Sequence, residues 1–251
     1  MIKIIAGFLY VFCLCLSLET RSNALGAVRV LGPDWPPYYY QGDHEIEGSC
    51  REIVNAVLKK AKVEAEFVLY PWSRAHTEIL KVSNTVLCGL GRTAEREQLV
   101  HWIGPALTPQ RVNVYKLKSN KLRINSSADL LQHKIGTLRL SYSHEYLKRL
   151  GLKEENIVAI NHAEQLTKVL YGRRVPLIIQ GEKNFRALSV QGEVPLEEME
   201  VAYFAFPITE YIAISKGTPA HLVKALQESY RSLEAAGELF IPDGSSSQTT
   251  P

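Results

Sequence analysis

A short stretch of the chain holds residue types that together can bind a small anion. The apolar run at 86–88 predicts a buried strand, and Gly89 and Gly91 then let another molecule approach the backbone closely. Thr93 is placed to cap a helical turn, and Arg96 follows at the mouth of that turn. Because a guanidinium can bind a carboxylate through two parallel hydrogen bonds, this spacing predicts a carboxylate site. The alternative is a surface arginine in an ordinary strand-to-helix connection.

Aromatic and basic side chains in other loops can complete such a site. Trp35 and Trp72 lie beside prolines in predicted loops, which favours partly exposed aromatic walls over core packing. The three tyrosines at 38–40 cannot all face one side, so at least one of them packs inside. Arg92 has two interpretations, a second contact to an acidic ligand or an ion pair with a nearby glutamate.

Several catalytic and metal-binding classes are disfavoured by the sequence. The chain has seven histidines, and none has an acidic partner at the interval of a metal-ligand set. The serine and histidine neighbours at 141–144 do not face each other on a helix, and no nucleophile elbow accompanies them. Since no glycine-rich phosphate motif is present either, we expect no metal and no cofactor.

The elements that must position these residues alternate between strands and helices. A first strand-helix-strand-helix-strand unit is predicted, and a similar unit begins after Lys118. Its strands are predicted at 28–31, 66–70 and 86–88, and those of the second unit at 134–138, 157–160 and 176–180. A late strand at 211–215 and a helix at 220–235 are expected to return to the first unit. Such units form parallel sheets, and ligands bind beyond the carboxyl ends of their strands.

The N-terminal residues predict export from the cytoplasm. Residues 1–24 combine a basic start, an apolar run and a small-residue ending, which is typical of a cleaved signal peptide, with an uncleaved membrane anchor as the alternative. Removing them takes away Lys3, Arg21 and Glu19, which lowers the formal net charge from +3 to +2. A nearly neutral chain has no basic surface for nucleic acid or for a membrane.

Two cysteines remain after that removal, Cys50 and Cys88. An exported protein meets an oxidising compartment, so a disulfide between them is one interpretation, and two separate buried thiols are the other. We favour the disulfide because both positions fall on the same rim of the predicted sheet.

The order of several motifs resembles the type II periplasmic solute-binding proteins, and specifically extracellular solute-binding protein family 3. The motifs are Trp35-Pro36-Pro37-Tyr38, Gly48-Ser49-Cys50, Tyr70-Pro71-Trp72-Ser73-Arg74-Ala75, Arg92-Thr93-Ala94-Glu95-Arg96 and His101-Trp102-Ile103-Gly104-Pro105. The resemblance covers nearly all of the chain beyond the signal peptide. It implies a two-lobed α/β fold, in which each lobe is a mainly parallel sheet flanked by helices and the ligand cleft lies between the lobes.

The resemblance also implies a role for each matching residue. Arg96 corresponds to the arginine that binds the ligand carboxylate, with Thr93 beside it, and Trp35 and Trp72 correspond to aromatic walls. A second-lobe helix start near Ser141 and Tyr142 is expected to present backbone N–H donors to an anionic group. The full set of expected ligand-binding residues is Trp35, Tyr38, Trp72, Gly89, Gly91, Arg92, Thr93, Arg96, Arg139, Ser141, Tyr142 and Glu182.

Two kinds of departure from the family pattern concern the rest of the ligand. Cys88, Gly89 and Gly91 stand where amino-acid binders carry serine or threonine, and Gly181 stands where they carry an acidic residue for the ammonium group. Glu182 is adjacent and is the expected substitute. It is also the acid/base group for an alternative function, a lyase similar to cyclohexadienyl dehydratase on the same scaffold.

The sequence and the resemblance together give one set of expectations. The first lobe comprises 25–116 and 207–243, the second lobe comprises 117–206, and residues 244–251 form a disordered tail. The protein is expected to be a periplasmic monomer without enzymatic activity. It is expected to capture a small carboxylate-bearing solute, such as an amino acid, for an ABC importer or a membrane sensor.

Overall fold

Two five-stranded sheets, each flanked by helices, form the protein. The computed structural model describes residues 27–191, 194–239 and 241, so the predicted signal peptide at 1–24 and the predicted tail at 244–251 lie outside the described residues. In the described ranges no helix is long and apolar enough to cross a membrane. The two sheets correspond to the two predicted lobes.

The first lobe contains the chain up to β6 and the final strand and helix. Its elements are β1 (Ala27–Gly32), β2 (Tyr40–Gln41), β3 (Ile46–Glu47), α1 (Ser49–Ala61), β4 (Glu64–Leu69), α2 (Trp72–Lys81), β5 (Thr85–Gly91), a 3-10 helix (Ala94–Arg96), β6 (Val100–Ile103), β12 (Glu210–Ser215) and α6 (Ala220–Ala235). The sheet order is β4-β1-β5-β12-β6, in which β12 runs antiparallel to both of its neighbours. The strands β2 and β3 pair separately as a short hairpin.

The second lobe contains the middle of the chain. Its elements are β7 (Gln110–Leu117), a 3-10 helix (Ser127–Gln132), β8 (Ile135–Leu138), α3 (Tyr142–Leu150), a 3-10 helix (Glu154–Asn156), β9 (Ile157–Ile160), α4 (Gln165–Tyr171), β10 (Leu177–Gly181), α5 (Glu182–Gln191), a 3-10 helix (Leu196–Glu198) and β11 (Met199–Ile208). The sheet order is β11-β7-β10-β8-β9. Here β8, β9 and β10 are parallel, and β7 and β11 are antiparallel additions.

The apolar periodicity of the helices places the cores. Helix α1 buries Ile53, Val54, Val57, Leu58 and Ala61 against the first sheet. One buried apolar cluster includes side chains of both lobes, Trp72 and Leu138 among them. The lobes are therefore in close contact in this structure.

Strand pairing shows that the chain first crosses from one lobe to the other earlier than predicted. The predicted boundary at residue 116 lies inside β7, which pairs with β10 and β11 of the second sheet from Gln110 onward. The crossing therefore falls between Ile103 and Gln110, and the return falls between Ile208 and Glu210. Sequence alone missed this because an extended strand carries no sign of which sheet it joins.

The structure corrects the predicted end of one strand. The glycines after the strand at 86–88 do not end it, because β12 pairs with β5 as far as Gly91. A register shift leaves Gly89 unpaired with β12, at a φ of 84° that suits glycine.

Candidate functional site

The loops that follow the parallel strands meet across the cleft, as the predicted topology requires. A pocket of about 430 Å³ opens at the mouth of the cleft. Its first-lobe wall follows β1 and β4, and its second-lobe wall follows β9; the lining is Pro33, Asp34, Leu69, Tyr70, Pro71, Trp72, Asn161, His162, Ala163 and Glu164. We call this space the mouth pocket.

A smaller cavity lies deeper in the cleft and shares Pro33 and Trp72 with the mouth pocket. Its volume is about 30 Å³, which is room for water and too little for an organic solute. The lining is Pro33, Trp35, Tyr38, Tyr39, Cys50, Trp72, Cys88, Gly89, Leu107, Asn184 and Glu210. We call this space the inner cavity.

The wall of the inner cavity is stiff and carries unused hydrogen-bond donors. Cys50 and Cys88 form a disulfide with Cα atoms 5.8 Å apart, and this ties the start of α1 to β5. The indole nitrogens of Trp35 and Trp72 are buried, and neither finds an acceptor among the described residues. Because a buried N–H without a partner is costly, these two donors fit a ligand that brings an oxygen acceptor.

Arg96 lies at the contact between the lobes and already holds a carboxylate. Its residue is only 1% exposed, and its Nε and Nη2 atoms donate to Oε1 of Glu145 on α3 over 3.1 and 2.8 Å. Nη2 also donates to the carbonyl of Leu140, and Nη1 donates to the carbonyl of Gly91. Oε2 of Glu145 is buried and accepts no hydrogen bond from the described residues. The guanidinium therefore holds only one oxygen of this carboxylate.

The ring of Tyr142 fills the space above Gly91. A Cβ atom on Gly91 would lie 2.6 Å from Cδ1 of Tyr142, so only glycine fits beneath the ring. The Tyr142 hydroxyl donates to Oε1 of Gln180 over 3.2 Å and accepts from Nδ2 of Asn184 over 3.1 Å. A Cβ on Gly181 would lie 2.7 Å from this hydroxyl. Gly91 and Gly181, which both depart from the family pattern, therefore leave room for the side chain of Tyr142.

Glu210 is a buried carboxylate between the two lobes. It begins β12 in the first sheet, and its Oε1 accepts a hydrogen bond of 3.1 Å from Asn184 of α5 in the second lobe. Burial raises the pKa of Glu210 to about 7, although nearby donors and the charges of Lys183 and Arg96 oppose this shift. The group therefore changes charge near neutral pH.

His76 on α2 stays neutral beside this site. Burial, together with the positive charge of Arg96, lowers its pKa to about 4. The imidazole therefore adds no positive charge to those of Arg96 and Lys183 near Glu210 at neutral pH.

The family comparison agrees with this architecture. Residues 29–240 match the bacterial extracellular solute-binding proteins, family 3. The chain belongs to that family. Members of an extracellular solute-binding family act outside the cytoplasm, so the chain is a binding protein of a periplasmic or secreted location.

Solved structures share the two-lobed fold. One is a histidine kinase sensor domain with similarity to periplasmic binding proteins, with 18% identity, coverage of 85% of this chain and 92% of that chain, and a TM-score of 0.74. Another is a mutant of ArgBP from T. maritima, with 16% identity, coverage of 86% and 92%, and a TM-score of 0.71. The amino acid ABC transporter substrate-binding protein AbpA from Streptococcus pneumoniae, bound to L-arginine, has 22% identity, coverage of 85% and 91%, and a TM-score of 0.69. No match is found among curated proteins.

Most of the expected site residues of this family member come together in the structure. Trp35, Tyr38, Trp72 and Gly89 line the inner cavity, and Gly91 and Tyr142 pack against each other beside Arg96. Thr93 precedes the 3-10 helix as predicted, although its side chain makes no capping hydrogen bond.

Three of the expected residues that line neither space are paired with other side chains. Arg92 is exposed and donates to Glu97 over 2.6 and 2.9 Å, so the ion-pair alternative is the observed one. Arg139 is exposed and donates to Asn161, whereas Glu182 pairs with Arg186 on the same helix. Glu182 is thus not placed to substitute for the missing acidic residue.

The start of α3 is occupied by its own side chains. Ser141 caps this helix, and its Oγ accepts the backbone N–H of His144. The N–H of Leu140 donates to Nδ1 of His144. Some of the backbone N–H groups at the predicted anion-binding start of α3 therefore already donate to the side chains of Ser141 and His144.

Sequence reasoning missed three residues that matter in the cleft. No sequence motif includes Glu145, Asn184 or Glu210. Each lies in the cleft because of where the fold places its helix or strand. Glu210 was recognisable only as a glutamate beside the return crossing, and Glu145 only as an acidic residue in the first turn of α3.

Proposed function

We propose that this family member is a periplasmic binding protein that captures a small carboxylate-bearing solute between its lobes. The observation that carries the proposal is Arg96, which is buried between the lobes and binds a carboxylate that the protein itself supplies. A ligand carboxylate that replaces Glu145 gains two parallel hydrogen bonds where Glu145 makes contact through one oxygen.

The rest of the cleft suits the remainder of such a solute. The inner cavity offers the two free indole donors, the disulfide wall and the side chains of Asn184 and Glu210. The mouth pocket offers further volume in the range of small-molecule sites. Because the inner cavity is too small for a solute as it stands, capture requires the lobes to open and close again.

The comparisons support the solute class and the partner. The neighbours include an amino acid ABC transporter substrate-binding protein that is bound to L-arginine, and a histidine kinase sensor domain. We therefore propose an amino acid or a related acid as the ligand and an ABC importer or a membrane sensor as the partner. The alternative of a lyase depends on Glu182, which is half-exposed and paired with Arg186.

A thermal-shift screen tests the proposal. Small carboxylic acids, including amino acids, are compared with their methyl esters, which keep the shape and lose the negative charge. A ligand that binds only the folded state raises the melting temperature, so we expect at least one acid to raise it and its ester to leave it unchanged. Equal shifts from acids and esters, or shifts from no acid, would contradict the proposed solute class.

A further inference from the structure

The first lobe and helix α3 meet in two ion pairs of opposite polarity. Arg96 binds Glu145 at 2.8 Å, and the adjacent Glu95 binds Arg149, one turn further along α3. Arg96 also binds the carbonyl of Leu140 at the entry to α3. We call these four side chains, Glu95, Arg96, Glu145 and Arg149, the interlobe clamp.

The central pair of the clamp occupies the place proposed for the ligand. Arg96 is almost completely buried, and Glu145 presents one oxygen to it while its other oxygen has no donor among the described residues. Tyr142, three residues before Glu145, fills the space over Gly91 and bonds to Gln180 and Asn184. The helix start thus fills the site with a carboxylate and a ring, and Gly91 and Gly181 leave the room for it.

We infer that Glu145 is an internal substitute for the ligand carboxylate, and that it holds the lobes closed when no solute is bound. This inference rests on the proposed function, since it concerns the regulation of the same site. Solute and Glu145 compete for one guanidinium, so the apparent affinity is lower than the affinity of the unoccupied site. The incomplete pairing of Glu145 lets a bidentate carboxylate displace it.

Removing the charge of Glu145 separates this inference from a merely structural ion pair. In Glu145→Gln the amide cannot pair with the buried guanidinium as a carboxylate does. We expect the ratio of open to closed molecules without solute to rise on the order of tenfold, which is less than for a fully buried charge pair because the Glu145 side chain is 29% exposed.

Electron–electron distance measurements between spin labels test this directly in the solute-free full chain. Lys81→Cys in the first lobe and Lys168→Cys in the second lobe carry the labels, since both lysines are exposed. Cys50 and Cys88 are bonded to each other, and Cys13 and Cys15 are replaced by serine in every variant so that they take no label. The parent should give one short distance, and Glu145→Gln should add a longer one. Glu154→Gln is the matched control, because Glu154 is an exposed second-lobe glutamate that pairs with Lys148 inside its own lobe.

Two further results make the outcome decisive. Glu145→Asp keeps the charge but shortens the reach, so it should also add the longer distance, and it serves if Glu145→Gln does not fold. Identical distance distributions for the parent and a folded Glu145 variant would overturn the inference, as would a parent that is already mainly open. If the variant opens but the protein binds no carboxylic acid, the proposed function is refuted. The role of Glu145 in holding the solute-free lobes closed is then still supported.

Discussion

At the scale of single residues, Glu210 makes the stability of the protein depend on pH. Its pKa is raised to about 7 by burial, whereas a glutamate in the unfolded chain titrates near 4.3. Between these two values the folded protein keeps a proton that the unfolded chain releases. The contribution of Glu210 to the free energy of unfolding is therefore full below about pH 4 and falls as the pH rises through 7.

A Glu210→Gln variant isolates this effect. Its free energy of unfolding, relative to the parent, should increase by about 2–3 kcal/mol between pH 5 and pH 8. Urea unfolding at both pH values measures the difference. His76 changes stability in the opposite direction, because its lowered pKa makes the folded state lose stability on acidification, but it is present in both proteins and cancels. A relative stability that does not change with pH would show that Glu210 is not a buried titrating group.

At the scale of elements, the disulfide is the covalent tie between α1 and β5. The linked cysteines are 38 residues apart, so the bridge restricts a loop of that length in the unfolded chain. We expect the variant with both Cys50 and Cys88 replaced by alanine to lose about 3–4 kcal/mol of stability. Urea unfolding of the variant and the parent, both without reductant, measures this. A loss below about 1 kcal/mol would mean that the bridge adds little constraint.

The elements also show what local sequence can and cannot predict. The apolar stripe of α1, the serine cap of α3 and the parallel strands of both units follow from patterns inside each segment. Strand β7 and the length of β5 do not, since they depend on the partners β11 and β12 that return from later in the chain. The cleft positions of Glu145 and Glu210 cannot be predicted locally either, because they too depend on elements that are distant in the sequence.

At the scale of the whole molecule, the two lobes meet through charged side chains as well as through apolar surface. The family pattern drew attention to Arg96, Trp35 and Trp72; the fold places the two tryptophans on the inner cavity and buries Arg96 against Glu145 of the other lobe. It could not indicate that Tyr142 and Glu145 fill the neighbouring space, because that depends on glycines in two different lobes. The departures at Gly91 and Gly181 are thus explained together by one packing arrangement.

The most direct measurement is calorimetric binding of the best acid from the thermal-shift screen to Arg96→Ala and to Arg92→Ala. Arg92 lies in the same segment but is exposed and paired with Glu97, which makes it the matched control. We predict that Arg96→Ala weakens binding by at least about 30-fold, as expected for loss of a buried charged partner, and that Arg92→Ala binds as the parent does. An Arg96→Ala variant that is folded and binds the acid as tightly as the parent would contradict the account.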